Sequence, residues 1–255
     1  MLFDFLFHRQ REMLPMPYKR ELHCHIIPGV DDGADTPQDS LDYVRGLSEM
    51  GIESIIFTPH HTEPKFMNTP EIIEPKFEAL RKEVAEAGIP IQLEDYSFEY
   101  RLDGSFIQMM SAGKYGEPTC QLRPLKGRYL LIENSFGQPL FNLKEVLCQL
   151  QQNGWFLIMA HPERYHYYSE RGLGSYERLA DLGVEFQCNL LSFGGYYGEH
   201  AQKTAMRLLE EGLVSYLGSD LHSAHHITLL QKFLRSKDYA RLFEDLQLSA
   251  HNDTF

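Results

Sequence analysis

The chain contains 255 residues, of which 43% are hydrophobic and 12% aromatic, enough for one domain with a large core. With 36 acidic and 24 basic residues its formal charge is -12, so the surface as a whole should repel nucleic acid and anionic membranes. We therefore exclude nucleic-acid and membrane-surface binding as the main role, and expect any anionic substrate to be captured by local positive charge.

The start of the chain has no targeting signal that we can identify. Residues 1–18 are predicted to form an N-terminal tail and residues 19–255 a single domain. The apolar start is interrupted by Asp4 and ends after seven residues, which is too short for a secretory signal. No apolar run approaches the roughly 20 residues that span a bilayer. Four cysteines without a CxxC pair are typical of reduced thiols, so we predict a cytoplasmic protein.

Strand and helix signals alternate along the chain. The first helix is predicted from Thr36, a capping residue, followed by Pro37 in the first turn and ended by Gly51. Pro75 is expected to break the first turn of the next helix, because proline lacks a backbone donor. After a short extended run before His23, the predicted strands are residues 52–58, 89–98, 129–132, 155–160, 184–188 and 214–219. The later helices are residues 71–87, 106–110, 143–152, 176–182 and 200–211.

Seven strand–helix units of this kind predict the α/β class. Strands that alternate with helices form parallel sheets with right-handed crossovers, and seven of them indicate a distorted (β/α) TIM-like barrel, closed or nearly closed. In such barrels the active site lies at the mouth formed by the carboxyl ends of the strands. The residues that directly follow each strand are therefore the candidates for function.

Side chains that commonly bind metals follow one predicted strand after another. His23 and His25 are two residues apart on an extended run, so both imidazoles should leave one face while Cys24 points away. Alone, this pair would be interpreted as two buried, hydrogen-bonded histidines. Asp31 or Asp32 could add oxygen ligands, and nitrogen and oxygen donors without thiolates favour Mn, Fe or Zn. Nine residues, enough for three ligands to each of three ions, form the candidate set: His23, His25, Asp32, His60, Glu99, Glu133, His161, Asp220 and His222.

Several motifs resemble those of the polymerase and histidinol phosphatase (PHP) superfamily. They are HCH at residues 23–25 with PGVDDGA at 28–34, TPHH at 58–61, IE at 132–133, AHPERY at 160–165 and GSDLH at 218–222. Within it, the chain is similar to the bacterial manganese-dependent tyrosine-protein phosphatases of capsule and exopolysaccharide operons, over roughly residues 21–222. The turn at 29–34 and the HPERY motif favour this branch over histidinol phosphatases and polymerase-associated domains.

The resemblance implies a PHP-type barrel with three divalent ions, Mn²⁺ first, with Fe or Zn as alternatives. It assigns His23, His25, Glu99 and Asp220 to one ion, Glu99, Glu133 and His161 to a second, and Asp32, His60 and His222 to a third. Glu94, which lies close to Glu99 in the sequence, is a second carboxylate near that ligand position. Arg164 matches a phosphate-binding arginine of the family. A second family arginine, beyond the Asp-x-His motif, is absent, so either His225 replaces it or the phosphate is held less firmly.

The implied activity is metal-dependent hydrolysis of phosphotyrosine on protein, with the C-terminal tail of a bacterial tyrosine kinase as the expected partner. Divalent ions lower the pKa of a bridging water and neutralise phosphate oxygens, and Arg164 would clamp the phosphate. His61, His222 and His225 are candidates for protonating the departing phenolate. A cysteine nucleophile is disfavoured, because an arginine should stand six residues after it. Those positions hold Val30, Lys126, Gly154 and Gly194.

Two alternatives to this function stay open at the level of the sequence. One is a PHP phosphoesterase that acts on a small phosphomonoester, as histidinol phosphatases do. It would share all the metal ligands and differ in the depth and rim of the pocket. The other is a weakly active, metal-stabilised interaction module, an alternative that the absence of the second arginine leaves open.

Overall fold

The computed structural model describes residues 11–111, 121–169 and 172–255. The strands in these ranges are β1 (Arg20–Glu21), β2 (Ser54–Phe57), β3 (His60–Thr62), β4 (Phe66–Met67), β5 (Gln92–Tyr96), β6 (Glu99–Arg101), β7 (Tyr129–Glu133), β8 (Phe156–Ala160), β9 (Val184–Asn189) and β10 (Val214–Gly218). The helices are α1 (Pro37–Glu49), α2 (Pro70–Glu86), α3 (Gly104–Ser111), α4 (Leu143–Gln152), α5 (His166–Ser169), α6 (Gly174–Asp181), α7 (Leu190–Phe193), α8 (Glu199–Glu210), α9 (Ala224–Leu234) and α10 (Lys237–Ser249).

The strands form two sheets, which confirms the α/β class but not the closed barrel. One sheet has the order β1–β2–β5 and the other the order β10–β9–β8–β7–β6–β3–β4. All pairs are parallel except β3 with β4. Of the predicted strand over residues 89–98 only β5 forms, and the residues that follow it form β6 in the other sheet. Pro59 separates β2 from β3. Because proline has no backbone N–H to donate, it interrupts the ladder at that point.

The end of β1 lies against the end of β10. Cys24 forms an isolated parallel bridge with Leu221, and the His25 amide donates to the Leu221 carbonyl at 3.0 Å. The buried Glu21 carboxylate accepts hydrogen bonds from the amides of His23 and Ser219. Since Glu21 belongs to β1 and Ser219 follows β10, this carboxylate joins the two chain segments. It thereby brings the first predicted ligand pair next to the last.

The helices begin largely where local signals place them. Thr36 caps α1 in a reciprocal capping box with Asp39, as predicted. The prediction that Pro75 breaks α2 is wrong, because the helix continues through it. Pro75 is exposed, so water can hydrogen-bond to the carbonyl that loses its donor.

The described end of the predicted tail packs against the domain. Met16 and Tyr18 are buried, and the Met16 amide donates to the Met50 carbonyl at 2.8 Å. Residues 1–10 lie outside the described part of the chain. Cys24, Cys148 and Cys188 are free thiols, whereas Cys120 lies outside the described residues. None of the helices in the described ranges has the length and apolar character required of a membrane span.

Candidate metal centre

The nine predicted ligand side chains lie together: His60 and Glu99 are the first residues of β3 and β6, and the others lie at or beyond the carboxyl ends of strands. Neighbouring members are joined by nitrogen–oxygen distances of 2.9–3.7 Å. Glu99 is at the centre with 0% exposure, and its Oε1 lies 2.9 Å from His161 Nε2. The structure thus brings together His23, His25, Asp32, His60, Glu99, Glu133, His161, Asp220 and His222.

Four groups of three residues could each hold a metal ion, since the ligand atoms within each group lie within 4.8 Å of one another. Glu133 is grouped with His60 and Glu99, not with His161 as the resemblance implied. Asp32 lies 3.4 Å from His60 Nε2 and 3.6 Å from His222 Nε2, so the implied third set is adjacent in space. The four groups are His23, His25 and Asp220; His23, Glu99 and His161; His60, Glu99 and Glu133; and His25, His60 and His222.

Several atoms in this cluster are buried without a hydrogen-bond partner among the described residues. They are His23 Nε2, His25 Nε2, His60 Nδ1 and both carboxylate oxygens of Glu99. His60 Nδ1 and His161 Nε2 approach Glu99 at 2.9 Å, but these close contacts are not hydrogen bonds. Leaving a buried polar group unpaired costs about 1–3 kcal/mol, so such a concentration of unpaired atoms calls for a compensating ligand. Imidazole and carboxylate donors suit Mn²⁺, Fe²⁺ and Zn²⁺. The residues present therefore fit a divalent metal centre.

Outer contacts orient the histidines. His25 Nδ1 lies 2.8 Å from Asp31 Oδ2, which also accepts the His60 amide at 3.0 Å. His222 Nδ1 lies 2.8 Å from the Asp220 carbonyl oxygen. These contacts use the Nδ1 atoms of both rings and leave the Nε2 atoms for the cluster. The structure thereby separates the two aspartates that the sequence left as alternatives: Asp31 supports His25, whereas Asp32 faces the cavity.

Burial and neighbouring charges shift pKa values within the cluster. Burial, with a further contribution from adjacent histidines, lowers the pKa of His25 to about 4. Burial also raises the pKa of Glu133 to about 8, and the Glu99 carboxylate adds to that shift. For His23 burial acts downward, but nearby carboxylates, Glu99 first, outweigh it and raise the pKa to about 9. The Glu133 shift includes repulsion from the Glu99 carboxylate, which bound cations would offset.

Arg164 stands at the edge of the centre on a short 3-10 helix, Pro162–Arg164. Its Nη1 donates to Asp220 Oδ2 at 2.8 Å. The guanidinium carbon lies 4.7 Å from the Phe136 ring centroid and 4.2 Å from that of Tyr197. Two aromatic faces and one carboxylate therefore fix the guanidinium, leaving its other N–H groups for a ligand. Above the ligands is an open cavity of about 510 Å³, which Arg164 lines.

Two of the predicted catalytic histidines do not line this cavity. His61 is buried elsewhere, with Nδ1 2.7 Å from the Asn68 carbonyl and Nε2 3.0 Å from Ser105 Oγ. His225 is exposed on the first turn of α9, and it is His226 that lines the cavity. Strand and helix periodicity explain both outcomes, because adjacent residues point in different directions.

Other side chains around the cavity were not found from the sequence. Phe136 follows Glu133 by three residues, as Arg164 follows His161, but an aromatic residue in a loop carries no ligand signal by itself. Tyr196 and Tyr197 follow the short helix α7, and both line the cavity. Glu94, the neighbour of Glu99 in the sequence, lies outside the cluster and pairs with Arg20 at 2.7 Å.

Comparison with known proteins gives consistent matches. The family profile described as "Capsular polysaccharide synthesis, CpsB/CapC" matches residues 20–232. The tyrosine-protein phosphatase YwqE of Bacillus subtilis is 28% identical over 243 residues, which cover 92% of each chain. The tyrosine-protein phosphatase CpsB of Streptococcus pneumoniae is 29% identical over 212 residues, covering 80% of this chain and 82% of that one.

A solved structure also matches over nearly the whole chain. It belongs to a study of YwqE from Bacillus subtilis and CpsB from Streptococcus pneumoniae, described there as unique metal-dependent tyrosine phosphatases. The match has a TM-score of 0.73 and 26% sequence identity, and it covers 91% of this chain and 95% of the other. The matched fold is therefore one that carries a metal-dependent activity in those proteins.

Proposed function

The chain belongs to the CpsB/CapC family of capsular polysaccharide synthesis proteins, and from this premise we propose that it is a metal-dependent tyrosine-protein phosphatase. The observation that carries the proposal is the set of unpaired buried ligand atoms directly below a cavity lined by Arg164. A phosphatase needs both features at one place: cations to offset the charge of the phosphate, and a donor that orients it. The family relatives named as tyrosine-protein phosphatases support the substrate class.

The nine clustered side chains would hold up to three divalent ions, with Mn²⁺ as the first candidate and Fe or Zn as alternatives. When bound, such ions lower the pKa of a coordinated water and neutralise phosphate oxygens. Arg164 orients the phosphate through the N–H groups that Asp220 does not use. Of the histidines predicted to protonate the leaving group only His222 lines the cavity, and with its Nδ1 against the Asp220 carbonyl and its Nε2 among the ligand atoms it has no nitrogen left for that role. The phenol of tyrosine, with a pKa near 10, leaves readily and needs little protonation.

The rim of the cavity favours an aromatic substrate over a small phosphomonoester. Phe136 is 46% exposed and Tyr196 is 41% exposed, and both line the cavity beside Arg164. Exposed aromatic rings flanking a phosphate-binding arginine can stack on the ring of a phosphotyrosine. The open cavity also leaves room for a peptide on either side. We infer that the substrate is a phosphotyrosine protein, and that the C-terminal tail of a bacterial tyrosine kinase in the cytoplasm is the first one to test.

The fold supports one further part of the proposal. The bridge between Cys24 and Leu221 places β1 beside β10, the two ends of the chain of strands. We infer that the two sheets are parts of one distorted barrel of seven strand–helix units, and that residues 19–255 form a single domain. In such a barrel the metal centre is at the expected mouth.

A turnover assay tests the function. The protein, stripped with chelator and reloaded with Mn²⁺, should hydrolyse p-nitrophenyl phosphate and a phosphotyrosine peptide, and the peptide should be preferred over histidinol phosphate. Glu99→Gln, which replaces the carboxylate shared by two of the four ligand groups, should lower the number of ions bound and abolish turnover. Tight metal binding without hydrolysis of any phosphoester would support the interaction module instead. A preference for histidinol phosphate would support the small-substrate alternative.

A further inference from the structure

Two buried amide side chains connect two neighbouring metal-ligand candidates, His23 and Asp220. Gln187 and Asn189 are two residues apart at the end of β9, and they are 1% and 0% exposed. Gln187 Oε1 lies 2.6 Å from His23 Nδ1, and Gln187 Nε2 donates to Asn189 Oδ1 at 3.0 Å. Asn189 Nδ2 donates to Asp220 Oδ2 at 2.7 Å. An unbroken chain of three contacts therefore runs from His23 to Asp220.

The donor and acceptor chemistry of the side chains fixes the direction of this chain of hydrogen bonds. An ionised carboxylate only accepts hydrogen bonds, and Arg164 also donates to Asp220 Oδ2, at 2.8 Å. Asn189 must therefore present its NH₂ group to Asp220 and its oxygen to Gln187. Gln187 must then present its NH₂ group to Asn189 and its oxygen to His23. In the neutral imidazole, the form that can bind a metal, the proton of His23 is consequently placed on Nδ1, which leaves the lone pair on Nε2, the atom buried without a hydrogen-bond partner among the described residues.

The same chain of hydrogen bonds also constrains Asp220, at its other end. Asp220 Oδ2 accepts from both Asn189 and Arg164, whereas Oδ1 lies 3.5 Å from the Nε2 atoms of His23 and His25. The carboxylate thus has one oxygen held by donors and one facing the cluster. Gly218 makes room for the arrangement, because a Cβ there would come within 2.6 Å of Gln187 Nε2 and 2.9 Å of His23 Cβ.

We propose that Gln187 and Asn189 are positioning residues, which set the tautomer of His23 and restrict Asp220 to one oxygen for a metal ion. The proposal rests on the metal centre of the proposed function. Neither amide touches the cavity, so neither is a catalytic group. Their contribution is to present one nitrogen and one oxygen ligand that need no rearrangement when an ion binds.

Two replacements of Gln187 separate positioning from packing. Gln187→Met has a similar length but no acceptor for His23, whereas the neutral, protonated carboxyl group of Gln187→Glu keeps both the oxygen that accepts from His23 and an O–H that donates to Asn189 Oδ1. Positioning predicts that Gln187→Met weakens metal binding by about ten to a hundredfold and that Gln187→Glu recovers much of the loss. Packing predicts the reverse order, because methionine suits a buried apolar site and a buried carboxylate is costly. Gln202→Met, on α8, removes a side-chain hydrogen bond to the Phe193 carbonyl and serves as the matched control.

Metal affinity is measured by competition with a chelator of known affinity, using Co²⁺ and Mn²⁺, and the visible spectrum of the Co²⁺ form reports changes in the ligands. Far-UV circular dichroism confirms folding, and Asn189→Ala provides the same test if Gln187→Met does not fold. The positioning role of Gln187 and Asn189 is refuted if Gln187→Met keeps wild-type affinity and an unchanged spectrum. It is also refuted if Gln187→Glu binds metal more weakly than Gln187→Met does. Both outcomes leave the metal centre intact. Failure of the wild-type protein to bind either ion would refute the proposed metal centre, and with it the positioning role of Gln187 and Asn189.

Discussion

Removal of the Arg164 guanidinium is the sharpest test of how the phosphate is held. Its Nη1 is engaged by Asp220 at 2.8 Å, and two aromatic rings hold its plane at 4.7 Å and 4.2 Å. A hydrogen bond to a charged group contributes about 1.5–3 kcal/mol. Since 1.36 kcal/mol corresponds to a factor of ten, we expect Arg164→Ala to reduce kcat/KM on the order of ten to a hundredfold.

Arg164→Lys should recover only part of the loss. Lysine keeps the positive charge, but one ammonium cannot reach Asp220 and a phosphate with the planar geometry of a guanidinium. The exposed Arg45, which pairs with Asp42 on α1, provides the control, and Arg45→Ala should behave as wild type.

The assay combines kinetics on a phosphotyrosine peptide at saturating Mn²⁺ with measurement of the bound metal. If Arg164 acts as a phosphate clamp, the metal content of Arg164→Ala stays at the wild-type level while kcat/KM falls. If metal content falls in proportion to activity, the arginine acts by holding Asp220, and the clamp role is refuted. Unchanged kinetics would refute both roles.

Four further predictions follow from particular contacts. Cys24→Ser should keep most activity in a side-by-side assay with the inactive His25→Ala, since Cys24 packs in the hydrophobic core; a loss as complete as that of His25→Ala would contradict this. Phe136→Ala should raise KM for a phosphotyrosine peptide about two- to tenfold in steady-state kinetics, because a stacked aromatic pair contributes about 0.5–1.5 kcal/mol; an unchanged KM would argue against stacking. His225→Ala should leave the pH dependence of KM unchanged, as its exposed ring lies outside the cavity lining, whereas a shifted profile would restore it as a phosphate ligand. Chelation should lower the Tm in scanning calorimetry and Mn²⁺ should restore it, because an ion at a hundredfold its Kd stabilises by about 2.7 kcal/mol; an equal Tm would count against a bound metal.

The sequence predicted the elements better than their pairing. α4 has the predicted ends, and α1 begins at the predicted cap, because capping and helical periodicity are local signals. The division of residues 89–98 and the following residues into β5 and β6 was missed. That division depends on partners: β5 pairs with β2, while β6 pairs with β3 and β7. Such pairing is set by packing between distant segments, which a single sequence does not display.

The residues of the site also fall into those that the sequence could reveal and those that depend on distant partners. Side chains of ligand type at strand ends could be found because histidine and carboxylate chemistry is specific. The groups that support these ligands could not be found from the sequence. Gln187 and Asn189 have the same two-residue spacing as His23 and His25, but amides at strand ends are common and indicate no chemistry unless their partners are known.

The geometry at His161 and Asp220 explains why strand alternation alone could not describe the centre. Both residues have positive φ, 35° and 48°, a conformation that costs a non-glycine residue of order 1–3 kcal/mol. β10 ends at Gly218, so Asp220 reaches the cluster through a left-handed turn and not through the alternation of an extended strand. These turns follow β8 and β10, which flank β9 in the sheet, and β9 supplies the amides that reach His23 and Asp220. Arg164 then joins the first turn to the second through Asp220. Contacts between three neighbouring strand ends surround these two turns, so the positions of His161 and Asp220 depend on the pairing order of β8, β9 and β10 as well as on their own places in the sequence.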